Sequence, residues 1–186
     1  VKAKYGIKGD YILFLSTLEP RKNPINLMRA YSQLPKEIQA KYQLVLAGKK
    51  GWLDEEIEAL CEKMGDQVIR TGRVDTEDKP ALYAGASVFA FPSAYEGFGM
   101  PILEAMACGT PVITSNVSSI PEVAGDAAIL VNPNDVHDIA GALTKVLVDR
   151  DLAQKLQEQG RGRVKEFTWE KSGQRLASLL FKLTQN

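Results

Sequence analysis

The sequence predicts an α/β protein of Rossmann-like, three-layer α/β/α architecture with a six-stranded, mainly parallel sheet. Two observations support this fold class. The 186 residues suffice for one domain with a sizeable core. Short apolar runs typical of buried strands alternate along the chain with segments of helical periodicity. Because parallel strands need crossover connections, this alternation favours a parallel sheet covered by helices on both faces.

Six apolar runs rich in β-branched and aromatic residues predict the strands. In chain order they are YILFLS from Tyr11, YQLVLAG from Tyr42, QVIRTG from Gln67, ASVFAFP from Ala86, PVITS from Pro111 and AAILVN from Ala127.

Four helices are predicted because apolar residues recur on one face of each. The second ends with a C-cap at Gly65, and the fourth begins after an N-cap at Thr168. The four faces consist of Leu27, Met28, Tyr31 and Leu34; of Leu53, Ile57, Leu60, Cys61 and Met64; of Val136, Ile139, Ala140, Leu143, Val146 and Leu147; and of Trp169, Leu176, Leu179, Leu180 and Leu183.

The chain divides into three predicted parts. Residues 1–10 are an incoming connector, 11–167 form the domain itself, and 168–186 form a C-terminal helix. The connector indicates that the domain belongs to a longer protein.

Composition excludes several kinds of function. Lys plus Arg and Asp plus Glu number 23 each, so the net charge is zero and no nucleic-acid partner is expected. Cys61 and Cys108 are too few for a disulfide framework or a zinc site, and we expect small, buried, reduced residues. No apolar run approaches the ~20 residues that span a bilayer, and the first residues lack a signal peptide's apolar stretch. A cytoplasmic protein is expected.

Topology selects two loops as the ligand site. Six strands in this pattern most often take the doubly wound order, in which the first and fourth strands are neighbours. Ligands bind outside the carboxyl ends of those two strands, where the winding reverses. The loops that follow them are TLEPRKN and PSAYEGFGMP.

The loop after the fourth strand has the features of an anion site. Gly97 and Gly99 let the backbone approach a ligand, and Pro101 can begin a helix reading PILEAMAC. Free amides at that helix N-terminus can face a diphosphate. Ile102 stands where the dinucleotide-binding fingerprint has its third glycine, so a nicotinamide cofactor is disfavoured.

Two glutamates bracket this turn. Glu104 can accept hydrogen bonds from a ribose diol, or it can merely favour the positive end of the helix dipole. Spacing does not decide between the two. Glu96 lies at the end of a buried strand, a position at which a charged residue contributes less to folding. We therefore predict a functional role for Glu96.

The loop after the first strand carries Arg21 and Lys22 at the start of a helix. Two cations at a helix N-terminus oppose the dipole, and a bound anion would explain them. A charge-assisted contact to phosphate contributes ~1.5 to 3 kcal/mol, more than the local penalty. The alternative is a pair of solvated surface cations.

These segments resemble the C-terminal, donor-binding half of a glycosyltransferase family 4 enzyme of the GT-B fold. The resemblance covers nearly the whole chain, and its most specific element is the E-x₇-E pattern of residues 96–104 within EGFGMPILEAMACGTPVI. Other matching segments are LSTLEPRKNPINLMRAY, AGKKGW, TGRVDTEDKPALYAGA and FTWEKS. The LEPRKN variant is similar to bacterial mannosyltransferases, which implies GDP-mannose ahead of a UDP-sugar.

The resemblance implies a role for each charged residue of the two loops. Glu96 would contact the donor sugar, and Glu104 would hold the ribose hydroxyls. Arg21 and Lys22 would neutralise the diphosphate and stabilise it as it leaves. The expected catalytic set is therefore Glu96, Lys22 and Arg21.

The remaining donor-binding residues also follow from the resemblance. Val74, in TGRV, would lie beside the nucleobase. Many relatives have a glycine-arginine pair where this chain has Ser16 and Thr17, so Thr17 joins the donor-binding set and Arg21 takes over the guanidinium role. Sugar and phosphate would meet the backbone amides in the segment formed by Phe98, Gly99, Met100 and Pro101.

Family 4 enzymes retain the anomeric configuration and need no metal, so neither a metal nor another cofactor is expected. The only D-x-D match, Asp149 with Asp151, is interpreted as a helix boundary. His137 is expected to be exposed and without a catalytic part.

The acceptor in such enzymes is held by a preceding N-terminal domain, which this chain would need as its partner. The chain alone should bind donor but not transfer sugar, and any membrane contact would come through that partner domain. Two other hypotheses stay open: a non-transferring nucleotide-sugar enzyme such as an epimerase, and a nucleotide-sensing module of the same fold.

Overall fold

The computed structural model describes residues 1–51 and 55–184 of the chain. Within them lies a six-stranded sheet with the order β3-β2-β1-β4-β5-β6. All neighbouring strands pair in parallel. The strands are β1 Asp10–Leu15, β2 Tyr42–Ala47, β3 Val68–Gly72, β4 Val88–Phe91, β5 Val112–Ser115 and β6 Ile129–Val131.

The sheet confirms the predicted fold class and the doubly wound order. Each of the six apolar runs forms one strand, and β1 lies beside β4, with Ile12 opposite Val88 and Leu13 opposite Phe89. The winding reverses between these two strands. Their carboxyl ends therefore mark the predicted ligand site.

Helices cover the sheet on both faces. Helix α1 contacts α3 and α7, whereas α5 contacts α4, α6 and α8. Their bounds are α1 Pro24–Ser32, α2 Lys36–Lys41, α3 Glu55–Met64, α4 Lys79–Ala84, α5 Met100–Ala107, α6 Ile120–Ala124, α7 Val136–Val148, α8 Arg150–Val164 and α9 Trp169–Leu183.

The four periodic segments and the helix after EGFG are helical, as predicted. Leu53, assigned to the α3 face, lies outside the described residues. Asp149 separates α7 from α8, and its side chain accepts from the Leu152 amide, which confirms the predicted helix boundary. Thr168 caps α9 by accepting from the Lys171 amide. Helices α2, α4, α6 and α8 were not predicted.

The core lies between the central strands and the helices on each face. Phe14, Phe89 and Phe91 are fully buried, and the rings of Phe89 and Phe91 stack with centroids 5.7 Å apart. Burying a side chain of this size stabilises the fold by roughly 1.5–3 kcal/mol. These strands thus form a rigid platform below the loops at their carboxyl ends.

The two ends of the chain differ in how they meet this core. Ala3–Tyr5 form a 3-10 helix, and Ile7 is buried. Every residue from 168 to 184 is exposed, including Trp169 at 87%. Helix α9 thus presents an apolar surface, made of Trp169, Leu176, Leu179, Leu180, Phe181 and Leu183, that the rest of the described chain does not cover. The domain boundaries themselves stay a prediction.

Candidate functional site

The loops after β1 and β4 meet at the predicted place. The Ala94 amide donates to the Arg21 carbonyl at 2.8 Å. The Asn23 side-chain amide donates to the carbonyls of Pro92 and Pro133, at 3.0 and 2.6 Å. These bonds fix the loop after β1 against the loop after β4 and the segment after β6. Arg21 and Lys22 thereby lie next to the EGFG loop.

The backbone around Arg21 and Lys22 takes a tight turn before α1. Pro20–Lys22 form a 3-10 helix, and Asn23 adopts a left-handed φ of 60° before Pro24 begins α1. Asparagine tolerates this conformation better than most residues with a Cβ atom. The turn places both cations at the helix N-terminus, as the sequence indicated.

Glu96 lies at the centre of an ion-pair cluster. Its Oε1 atom is 2.5 Å from Lys22 Nζ and 2.9 Å from Ser93 Oγ, and its Oε2 atom is 3.4 Å from Arg21 Nη1. The side chains of Glu96 and Lys22 are only 8% and 12% exposed. A carboxylate so far from water requires such partners. The structure thus brings together the three residues of the expected catalytic set.

Arg21 and Lys22 have different surroundings. Lys22 Nζ lies 5.4 Å from the centre of the Phe91 ring, a distance at which the ring face attracts a cation. Arg21 is exposed, donates to the Tyr95 carbonyl at 2.9 Å, and lies 3.5 Å from Glu19. Lys22 is therefore the fixed cation of the site, and Arg21 can reorient toward solvent.

Serine hydroxyls hold the backbone of Glu96 and were missed by the sequence reasoning. The Glu96 amide donates to Ser118 Oγ at 3.1 Å, and Ser119 Oγ donates to the Glu96 carbonyl at 2.9 Å. Ser118 adopts a left-handed φ of 54°. Both serines follow β5, the neighbour of β4, so the run SNVSS at the end of the fifth predicted strand was the available signal.

The glycine-containing turn leads directly into α5. Gly99 is the N-cap residue with a φ of 101°, and no side chain caps this helix. Pro101 has no N–H, and the Ile102 amide donates to the Gly99 carbonyl at 3.0 Å. The amide at the start of α5 that can face an anion is therefore that of Met100. Phe98 and Met100 are exposed, and Pro101 lies in the first turn. The predicted donor-binding segment thus lies at an uncapped helix N-terminus.

Glu104 belongs to a second cluster, formed by α5 and α4. Tyr83 Oη donates to Glu104 Oε2 at 2.9 Å. Both residues line a cavity of about 310 Å³ together with Thr76, Lys79 and Cys108. Glu104 therefore faces a cavity, a position that the helix-dipole explanation alone does not require.

Burial and the charge of Glu104 raise the pKa values of two groups in this second cluster. The pKa of the Tyr83 hydroxyl is raised far above its usual range, chiefly by burial and further by the Glu104 carboxylate. Burial, followed by the charge of Glu104, also raises the pKa of the Cys108 thiol. Tyr83 thus stays a hydrogen-bond donor to Glu104, and Cys108 stays a thiol. Cys61 and Cys108 are half-buried, whereas the sequence predicted full burial.

Val74 and Thr17 lie at the margins of the two clusters. Val74 is buried and precedes Thr76, which lines the cavity beside Glu104. The Val74 side chain therefore belongs to the core, and contact of its backbone with a nucleobase stays a prediction. Thr17 is half-buried, and its carbonyl accepts from the Glu19 amide at 2.9 Å. It stays a predicted donor-binding residue.

Other sequence features lie away from these clusters. His137 is exposed near the start of α7, as expected. Among residues 1–51 and 55–184, no group of three or more His, Cys, Asp or Glu side chains is arranged to hold a metal ion. In the same part of the chain, no helix is long and apolar enough to cross a bilayer.

The chain matches the family model described as "Glycosyl transferases group 1" over residues 2–163. It is 44% identical over 162 residues to O-antigen chain mannosyltransferase B of Escherichia coli, covering 86% of this chain and 42% of that protein. It is 41% identical over 173 residues to the serotype-specific mannosyltransferase WbdA of the same species, covering 91% and 21%.

A third relative has a name that includes its donor. The GDP-mannose-dependent alpha-(1-6)-phosphatidylinositol monomannoside mannosyltransferase of Mycobacterium tuberculosis is 33% identical over 181 residues, covering 91% of this chain and 46% of that protein. The chain thus spans less than half the length of each of these three relatives.

Sucrose-phosphate synthase from Thermosynechococcus elongatus has a similar solved structure. The two superpose with a TM-score of 0.85 at 31% sequence identity, over 99% of this chain and 48% of the synthase. The Rossmann-like fold of this chain therefore corresponds to about half of that larger protein.

Proposed function

This chain belongs to the group 1 glycosyl transferases, and we propose that it is the donor-binding half of a retaining glycosyltransferase that moves mannose from GDP-mannose to an acceptor. The observation that carries this proposal is the cluster of Lys22, Arg21 and Glu96 at the carboxyl ends of β1 and β4. It combines cations for a diphosphate with a buried carboxylate for sugar hydroxyls.

Each of the two clusters binds a different part of the nucleotide sugar. The diphosphate lies between Lys22, Arg21 and the Met100 amide at the start of α5, and the sugar lies against Glu96. The ribose hydroxyls donate to Glu104, which Tyr83 orients. The nucleobase lies beyond them, toward Val74. The cavity beside Glu104 supports this arrangement because it extends from the Glu104 carboxylate to Thr76, in the segment after Val74.

Transfer requires the glycosidic bond to the diphosphate to break. Negative charge then builds on the leaving phosphate oxygen, and a preorganised cation stabilises it without reorganisation. Lys22 fits this role because Glu96 and the Phe91 ring fix its ammonium group beside the EGFG loop before the donor binds. Arg21, which is more exposed, follows the diphosphate as it leaves.

The names of the relatives support mannose as the sugar and GDP as the nucleotide. Two relatives above 40% identity are named mannosyltransferases, and a third is named GDP-mannose-dependent. We propose the same donor for this chain.

We also propose that the acceptor site belongs to an N-terminal domain of the same parent protein. The relatives are more than twice as long as the matched region. The exposed apolar surface of α9 is suited to contact such a domain, since large apolar patches usually mark interaction sites.

Calorimetric titration of this chain with GDP-mannose, UDP-glucose, UDP-galactose and ADP-glucose tests the proposal. We expect binding of GDP-mannose to be tightest, and no sugar transfer when the chain is alone. Absence of binding to every member would contradict a donor site of any kind.

Two other results would redirect the proposal. Tighter binding of a UDP- or ADP-sugar would reject GDP-mannose and keep the transferase half. Conversion of the bound nucleotide sugar to its epimer would instead favour a non-transferring enzyme, and transfer by the chain alone would contradict the need for a partner domain.

A further inference from the structure

A cluster of four residues joins the N-terminal segment to the segment after β3. Lys4 Nζ lies 2.7 Å from Asp75 Oδ2 and 2.5 Å from Asp78 Oδ2. Tyr5 Oη donates to Asp78 Oδ2 at 2.8 Å and accepts from the Asp75 amide at 3.2 Å. The partners are 70 or more residues apart in the chain.

The cluster is more than an isolated surface ion pair. Lys4 is half exposed, and exposed ion pairs typically add only ~0–1 kcal/mol to stability. The Asp78 side chain, however, is 14% exposed and receives both an ammonium and a hydroxyl donor on one oxygen. The Lys4 ammonium group and the Tyr5 hydroxyl together fix the orientation of this carboxylate. The cluster therefore restrains the geometry of residues 75–78.

Those residues form one side of the cavity beside Glu104. Asp78 is the last residue before α4, and Thr76 and Lys79 line the cavity directly. Helix α4 also carries Tyr83, the hydrogen-bond partner of Glu104. A displacement of Asp78 thus moves both the 76–79 side of the cavity and the residue that orients Glu104.

We propose that Tyr5 and Lys4 are positioning residues for the nucleoside part of the donor, acting through Asp78. The inference rests on the proposed function, because it assigns the cavity to a nucleoside. The N-terminal segment holds the cavity in the shape that accepts the ligand, and neither Lys4 nor Tyr5 lines that cavity.

The test compares Tyr5→Phe, Lys4→Met and Lys4→Arg with the unchanged chain. Titration with GDP, and with UDP in parallel, should give about 5- to 10-fold weaker binding for the first two variants, corresponding to roughly 1–1.4 kcal/mol. Lys4→Arg should restore affinity to within 2-fold, because arginine can donate to both aspartates. Hydrogen exchange of the amides of residues 75–83 should become faster in Tyr5→Phe.

Lys8→Met is the matched control. Lys8 lies in the same segment and pairs with exposed Asp66 at 3.5 Å, away from the cavity. Its variant should bind GDP like the unchanged chain.

Three results would contradict the inference. They are unchanged affinity in Tyr5→Phe, an equal loss in Lys8→Met, and weaker binding of GDP and of inorganic pyrophosphate by the same factor, which would indicate general destabilisation. An unchanged chain that binds neither GDP nor UDP would overturn the proposed function and this inference together. The other results leave the proposed function intact.

Discussion

Lys22 Nζ and Glu96 Oε1 are 2.5 Å apart, and both side chains are largely shielded from water. Arg21 and Glu19 extend the cluster, so its two cations and two carboxylates balance. Under the proposed function, a diphosphate therefore competes with Glu96 for the cations. Substitutions of Lys22 and Glu96 should therefore change nucleotide affinity and protein stability by different amounts.

Lys22→Ala should weaken binding of GDP by about 10-fold or more, at 1.4 kcal/mol per decade. The substitution removes the fixed cation and leaves the Glu96 carboxylate with Arg21, at 3.4 Å, and Ser93 as partners beside the phosphates. Titration calorimetry measures the loss. Lys155→Ala, on the exposed side of α8, is the control and should bind normally. Unchanged affinity in Lys22→Ala would mean that Lys22 only neutralises Glu96 and does not contact the phosphates.

The double variant Lys22→Ala with Glu96→Gln separates binding from stability. Breaking a buried pair by removing one partner costs about 3–5 kcal/mol when the other charge is left unpaired, and less here because Arg21 still lies 3.4 Å from Glu96. Urea denaturation should show this loss in Lys22→Ala and recover most of it in the double variant. GDP affinity should stay low in the double variant. Full recovery of affinity would show that Lys22 does not contact the phosphates.

Glu104→Gln should penalise nucleotides with an intact ribose more than their 2′-deoxy or 3′-deoxy analogues. A glutamine can still accept from Tyr83, so the loss comes from the weaker contacts to the ribose hydroxyls, about 10-fold if ~1.5 kcal/mol is lost. Competition titrations give the ratio of affinities. Glu158→Gln, exposed on α8, is the control. Equal losses for ribose and deoxyribose would favour the helix-dipole explanation.

Ser93→Ala should lower the free energy of unfolding by roughly 1.5–3 kcal/mol, the usual contribution of a hydrogen bond to a charged group. Ser93 is fully buried and its hydroxyl lies 2.9 Å from Glu96 Oε1. Urea denaturation measures the change. Ser172→Ala on exposed α9 should alter stability by less than ~0.5 kcal/mol. Equal effects of the two substitutions would mean that Ser93 does not support Glu96.

Lys4→Met should raise the pKa of the Asp78 carboxyl toward 3.8. In the folded protein, hydrogen bonds from Lys4 and then Tyr5 hold this pKa below that ordinary value. A lowered folded pKa adds stability above the unfolded pKa, and that stability is lost as pH falls through the folded pKa. The stability difference between the unchanged chain and Lys4→Met should therefore be full above pH ~4 and shrink below it.

Carbon-detected NMR titration of the Asp78 carboxyl, combined with urea denaturation at several pH values, measures both effects. Lys8→Met should leave the Asp78 titration unchanged. A stability difference that grows as the solution becomes more acid would have the wrong sign for this mechanism.

The exposed surface of α9 should contribute little to the stability of this chain. Leu180→Glu, at a residue that is 55% exposed, should change the free energy of unfolding by less than ~0.5 kcal/mol. Leu143→Ala, at a fully buried residue of α7, should lower it by about 2–5 kcal/mol. A large loss in Leu180→Glu would show that α9 packs on this domain in solution.

The sheet was predictable because each strand is a compact apolar run and the doubly wound order then fixes its neighbours. Helix α8 was not, and Gly160 shows why. The buried residues of α8 are Leu156 and Gly160. Because glycine has no side chain, α8 packs on α5 partly through its backbone. A Cβ atom at Gly160 would lie 3.1 Å from Met106 Cγ. Close backbone packing of this kind leaves no apolar period in the sequence.

The candidate site was predictable in its residue types but not in its pairings. Loop position and charge selected Lys22 and Glu96, yet their ion pair joins residues 74 positions apart and depends on how two loops fold together. The hydrogen bond from Tyr83 to Glu104 depends likewise on the packing of α4 against α5. Ser118 supports Glu96 from a left-handed backbone conformation that serine seldom adopts.

The pairing of Lys22 with Glu96 also bears on how a reaction cycle ends. Under the proposed function, a nucleotide sugar donates hydrogen bonds from its hydroxyls to Glu96 while its phosphates pair with Lys22, so neither buried charge is left without a partner. After transfer, the nucleoside diphosphate has lost those hydroxyls. Lys22 and Glu96 then re-form their ion pair as the nucleoside diphosphate dissociates. Under the proposed function, the internal ion pair therefore acts as a competitor that favours product release.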